Sequence, residues 1–143
     1  MELNYVVDEI ELLGTTVREL SVENSIVDVE KDSKRNFGMS INEPKFQKTE
    51  EGLFGQISIY FEVEIIQVEE KECKIQLLLE GAFGAGKDIE DEKFEELVLV
   101  NGAASLIGIA RGKIEAISAN VFNNGKIVIP FVNVIDYYKK CND

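Results

Sequence analysis

The ten residues from Gln56 to Ile65 constrain this chain more than any other stretch. Ile57, Ile59, Phe61, Val63 and Ile65 alternate with Gln56, Ser58, Tyr60, Glu62 and Glu64, the pattern of a strand with one buried face and one wet face. A second run follows, with Cys73, Ile75, Leu77, Leu79, Gly81 and Phe83 set against Lys74, Gln76 and Glu80. Glu69-Glu70-Lys71-Glu72 joins the two, which predicts an antiparallel hairpin. Phe37, Met39 and Ile41 alternate with Gly38, Ser40 and Asn42 in a shorter strand that Pro44 ends, since proline cannot donate to a ladder. Val17–Glu23 supplies a fourth strand, and Asp28–Asn36 is a charged loop leading from it.

After Phe83 the period changes. The acidic stretch Asp88–Glu96 suits a helix start, with Asp91 or a neighbour as N-cap. Leu99, Ala103, Leu106, Ala110, Ile114, Ile117 and Val121 then recur at three- and four-residue spacing until Asn123-Asn124-Gly125. Ile127–Phe131 is an extended apolar segment broken by Pro130, and Val134–Lys140 predicts a short last helix. The long helix is small and apolar nearly all round, with Gly102, Ala104, Ser105, Gly108, Ala110 and Gly112 among its leucines and isoleucines. A helix packed on one sheet needs one apolar stripe, so a second apolar face predicts a second copy of the chain. The fold class expected is α+β in one domain spanning residues 1–143.

Composition removes whole classes of chemistry. There is no histidine, which excludes a Ser/His/Asp triad, a Cys/His pair and imidazole metal ligation. Cys73 and Cys141 are far apart and form no CxxC, so reduced thiols in a reducing compartment are expected. No uninterrupted apolar run reaches the roughly 18 residues of a bilayer span. The start Met1-Glu2-Leu3-Asn4 lacks the basic residues of a signal peptide, so a cytoplasmic location without membrane insertion is expected. Net charge is −12, which disfavours nucleic acid and favours basic or unfolded protein partners. Carboxylates are abundant, but no pair is marked out by spacing, so the chain reads as a non-enzyme without cofactor or metal.

Gly81-Ala82-Phe83-Gly84-Ala85-Gly86-Lys87-Asp88 matches GxxxxGK, but Asp88 stands where a phosphate-binding loop needs Ser or Thr for Mg²⁺. The preceding strand also belongs to a hairpin rather than a βαβ unit. The glycines are better read as a chain turning off a sheet edge.

The same region, taken with its surroundings, resembles the SecB family of export chaperones. Gly81-Ala82-Phe83 resembles the Gly-x-Phe closing that family's last strand, and Val100–Arg111 resembles its long helix, with Arg111 at the family's arginine. Pro130-Phe131-Val132-Asn133, with Val134 and Tyr137-Tyr138, is similar to the Pro-Pro-Ile-Asn-Phe segment entering its final helix, and Val17–Glu23 to its first strand. The likeness runs from about Val17 to Lys140 and rests on order and spacing. Ile107-Gly108 replaces the family's Phe-Pro, and its acidic C-terminal tail is missing.

This resemblance implies a four-stranded antiparallel Greek-key sheet with the long helix and the short C-terminal helix packed on one side, assembled as a homotetramer, a dimer of dimers with the long helices between sheets. It implies an ATP-independent holdase that binds unfolded polypeptides for protein export. A dedicated chaperone of one partner, such as an antitoxin, and a protein-interaction module without chaperone activity are the alternatives. The family's client groove maps onto Phe37, Met39, Ile41, Ile127, Ile129, Phe131, Tyr137 and Tyr138. Its oligomer helix maps onto Ala103, Leu106, Gly108, Arg111 and Gly112. Its docking site for the SecA motor maps onto Glu19 and Glu23, but Lys74 and Gln76 occupy the positions of a leucine and a glutamate. A cation in an acidic docking patch weakens a basic partner, so poor SecA binding is expected.

Overall fold

A computed structural model describes residues 9–142. Five antiparallel strands form the sheet: β1 (Glu11–Asn24), β2 (Lys34–Ile41), β3 (Lys45–Thr49), β4 (Gly52–Ile66) and β5 (Glu72–Ala85). Their order is β1-β5-β4-β2, and β3 also pairs with β4. Ile41 lies opposite Ile59 and Lys45 opposite Gln56, so β2 and β3 follow one another along a single edge of β4. Topologically the two make one broken strand, and the path is the expected Greek key. Pro44 therefore interrupts that edge where the sequence reading ended it. Lys45–Thr49 escaped notice because it carries one large apolar residue, Phe46.

The β4–β5 hairpin runs where alternation placed it, with Ile59 opposite Leu79, Phe61 opposite Leu77 and Val63 opposite Ile75. Those side chains are buried. Its turn is tight: Gln67 N–H donates to Lys71 O at 2.8 Å, and Glu69 and Glu70 have φ of 62° and 59°. Positive φ at both central residues matches the right-handed twist of the strands.

The helical layer is a rod of three pieces: α1 (Asp91–Leu97), a π-helical turn (Val98–Gly102) and α2 (Ala103–Val121). The helix start falls beside the expected N-cap, since Glu90 holds that position and Asp91 opens α1. By length and composition the Asp91–Val121 rod could cross a membrane, because a mean over a window tolerates the few polar residues that break up a run. In this fold Ala103, Leu106, Ala110 and Ile114, themselves fully buried, seat one face of it on the sheet.

Close approach is set by glycine. A Cβ on Gly81 would lie 2.5 Å from a Leu106 methyl, and one on Gly102 would lie 3.0 Å from the Phe83 ring. Gly81 and Gly84 thus lie within the central strand β5, and no phosphate-type loop forms there. The short helix α3 (Val134–Cys141) is capped by Asn133, whose side chain accepts from Asp136 N–H at 3.0 Å, and ends on Lys139 and Lys140. Both ends thereby complement the helix dipole.

Candidate polypeptide-binding surface

Three polar side chains on α2, Arg111, Glu115 and Ser118, fall on one face at four- and three-residue spacing. All three grip the main chain of the extended segment that follows the helix. Arg111 donates to Ile129 O through Nε (3.2 Å) and Nη2 (2.9 Å), and Ile129 N–H donates to Glu115 Oε1 at 3.2 Å. Ile127 N–H donates to Ser118 Oγ at 2.8 Å, and that hydroxyl donates to Glu115 O at 2.8 Å. The segment is a strap: its polar backbone is satisfied by side chains instead of a ladder.

Strapping decides which apolar residues face out. Ile127 and Ile129 are buried in the core and present nothing to a ligand, contrary to their expected place in a groove. Alternation turns Val128 outward, leaving it 55% exposed, and the alternation breaks after Pro130, so that Phe131 is 90% exposed, with Ile135 of α3 at 53%. The Arg111 guanidinium carbon lies 4.3 Å from the Phe131 ring centroid, a cation–π contact that holds the exposed ring in place.

On β2, Phe37, Met39 and Ile41 face the helical side, since their partners across the ladder are Val63, Phe61 and Ile59. Phe37 is 40% exposed, while Met39 and Ile41 are half-buried against the core. Tyr137 reaches this strand, with Ile41 N–H donating to its Oη at 2.9 Å. Tyr137 and Tyr138 pack edge to face at 5.6 Å. Tyr138 Oη is buried without a hydrogen-bond partner, and burial, with Tyr137 alongside, pushes its phenol up to about 12. Of the residues expected in the groove, β2 and α3 are thus brought together and the two strap isoleucines are withdrawn. Val128 and Ile135 were missed, although the alternation of the strap and the start of α3 were both visible in the sequence.

On the opposite face of the sheet Glu19 lies beside Leu78, Ser21 beside Gln76 and Glu23 beside Lys74, so Glu19 and Glu23 share a side with the altered pair. Lys74 is drawn away to β4, forming an ion pair with Glu62 at 3.1 Å. Glu62, bonded to Lys74 and to Tyr60, is held below the ordinary carboxylate range, and Lys74 is raised by the same contact. Gln76 donates to Tyr60 Oη at 2.7 Å.

The residues expected at an oligomer interface divide. Ala103 and Leu106 are fully buried against their own sheet, and Arg111 binds the strap, so these three serve the fold of the single chain. Gly108 and Gly112 face open space, with nothing within 4 Å of an added Cβ. Among the described residues no cluster of His, Cys, Asp or Glu could hold a metal.

No family model matches the sequence, and no curated protein matches it. Among solved structures, the chain resembles the SecB-like chaperone of Mycobacterium tuberculosis determined with a ChAD peptide from the HigA1 antitoxin. The TM-score is 0.68 at 5% identity, over 87% of this chain and 91% of that one. The fold is SecB-like. A protein of unknown function from Streptococcus agalactiae also matches, with a TM-score of 0.46 at 12% identity over 86% of this chain and 98% of that one. The α+β SecB-like architecture expected from the sequence is therefore present, with five strands where four were expected.

Proposed function

We propose that this chain is an ATP-independent holdase whose apolar surface, made by the strap, α3 and β2, binds unfolded or extended polypeptide. The observation that carries this reading is Phe131, 90% exposed yet fixed by Arg111, with Val128 of the same strap and Ile135 of α3 exposed as well. A fixed exposed aromatic costs little further ordering when it binds, and an apolar patch in an otherwise acidic surface suits a protein partner. The SecB-like relative supports the reading, since that protein was solved with an antitoxin peptide bound. A cytoplasmic homotetramer belongs to the same proposal, with the open face of α2 and the exposed apolar face of β1 as contacts between copies.

A dedicated antitoxin-type client is the second version, favoured over general export by Lys74 opposite Glu23 on the docking face. The test is suppression of aggregation of a chemically unfolded client at stoichiometric chaperone without nucleotide. Protection that Phe131→Asp abolishes supports the holdase. No protection over a wide range of ratios overturns it in favour of an interaction module, and dependence on ATP overturns the nucleotide-free mechanism.

A further inference from the structure

β2 ends the sheet on the side away from β4. Asn42 N–H donates inward to Ser58 O at 2.9 Å, whereas Ile41 N–H points outward and is met by Tyr137 Oη. Strand alternation then directs the N–H groups of Arg35, Phe37 and Met39 outward too. Among the described residues no strand covers them. The chain itself thus uses the last outward donor of this edge to seat an acceptor and leaves the preceding three open, over about 13 Å from Arg35 to Met39 at the usual rise.

The edge is also charged against the rest of the protein. Lys34 and Arg35 open β2, and β2 and β3 contain no acidic residue, in a chain of net charge −12. The nearest acids in sequence are Asp32, Glu30, Glu43, Glu50 and Glu51 in the flanking turns, and Glu64 across the ladder accepts from Asn36 at 3.1 Å. Among the described residues neither Lys34 nor Arg35 has an ion-pair partner. Cations on a free edge discourage self-pairing, and they select an acidic guest.

We infer that the client segment is an extended strand that adds to the outer edge of β2, with apolar side chains at alternate positions beside Phe37 and Met39 and carboxylates beside Lys34 and Arg35. This rests on the holdase reading and gives its substrate a chemistry: main-chain pairing supplies affinity tolerant of sequence, and the basic end supplies selection. It inverts the expectation, drawn from net charge alone, that cationic segments are preferred.

The test is fluorescence anisotropy of the full chain with three labelled nonapeptides of alternating valine and threonine. One carries two terminal aspartates, one two lysines in their place, and one the aspartates with alternate amides N-methylated. The aspartate peptide should bind about tenfold tighter than the lysine peptide, with the difference shrinking as salt is raised. Methylation should cost about tenfold or more. Lys34→Gln with Arg35→Gln should erase the charge preference, and circular dichroism should show the sheet intact. Equal affinity for aspartate and lysine peptides, or no loss on methylation, overturns the inference. Aggregation suppression measured on the same preparations separates the two readings: protection without charge or methylation effects sinks only the edge model, and no protection with no peptide bound sinks both.

Discussion

The two edges of this sheet are written in similar sequence and end in opposite situations. β1 and β2 both alternate, yet every residue of β1 is exposed, whereas the apolar side of β2 is partly covered by α3 and the core. The sharpest contrast is one cross-strand pair. Leu20 and Leu77 are directly opposite on the same face, and Leu20 is 51% exposed while Leu77 is 1% exposed. The α2 rod packs mainly over β4 and β5, so Leu12, Val17, Leu20 and Val22 form an apolar face that the described residues leave 38–51% exposed. A strand can be specified by its pattern and still lack full cover.

The largest expected effect sharpens that pair. Leu77→Ala should cost about 2–5 kcal/mol by denaturant titration, because it empties a packed site. Leu20→Ala should cost under about 1 kcal/mol at low protein concentration, where the site is already wet. If copies cover β1, the Leu20→Ala cost grows with protein concentration, since assembly stabilises only the folded form. A cost that is equal at both sites at all concentrations would break the comparison.

Next in size is the strap, the device that β2 has nearby and β1 lacks. Arg111→Ala removes both bonds to Ile129 O and the ring contact of Phe131. It should lower stability by about 1–3 kcal/mol and speed amide exchange at Ile127 and Ile129 relative to β4. Unchanged exchange would show that burial alone holds the segment.

Gly112→Leu should be smaller for the isolated chain, under about 1 kcal/mol, because glycine costs a helix interior and an added Cβ there meets open space. Size exclusion with light scattering should nevertheless show a smaller species than the parent. An unchanged mass would place the contact between copies on β1 alone.

The smallest effect concerns acid. Arg18 bonds Glu80 at 2.7 Å and, through that bond first, holds its carboxyl below the ordinary 4.5. A depressed folded value stabilises above the unfolded one, and the gain is lost as pH falls through the folded value. Glu80→Gln should therefore be slightly less stable than the parent near about pH 6 and converge with it as pH falls below the depressed folded value, read as Tm.

How much of this was legible can be argued residue by residue. The hairpin of β4 and β5 was, because β-branched and aromatic residues hold five successive buried-side positions of β4 and apolar residues alternate likewise from Cys73 to Leu79 of β5. β3 was not, with only Phe46 to reveal it. The strap was seen as extended and apolar, but its facing was misjudged: Ile127 and Ile129 look as available as Phe131 until Ser118, Glu115 and Arg111 fix the rotation of the backbone. The resemblance to SecB carried over the architecture, while the groove and interface residues it suggested were redistributed between core and surface.

Periodicity is a local property, so it settled within single segments which residues share a face and where the long helix runs, while composition alone removed histidine-based chemistry. Facing is a relation between segments. Ala103 and Leu106 turn inward while Gly108 and Gly112 turn outward because Leu106 packs directly onto Gly81, a strand position with no side chain in its way. A helix that is small and apolar all round has no preferred side of its own. Only packing against a particular glycine, and a rod that packs mainly over two strands, decided which surfaces this protein keeps open.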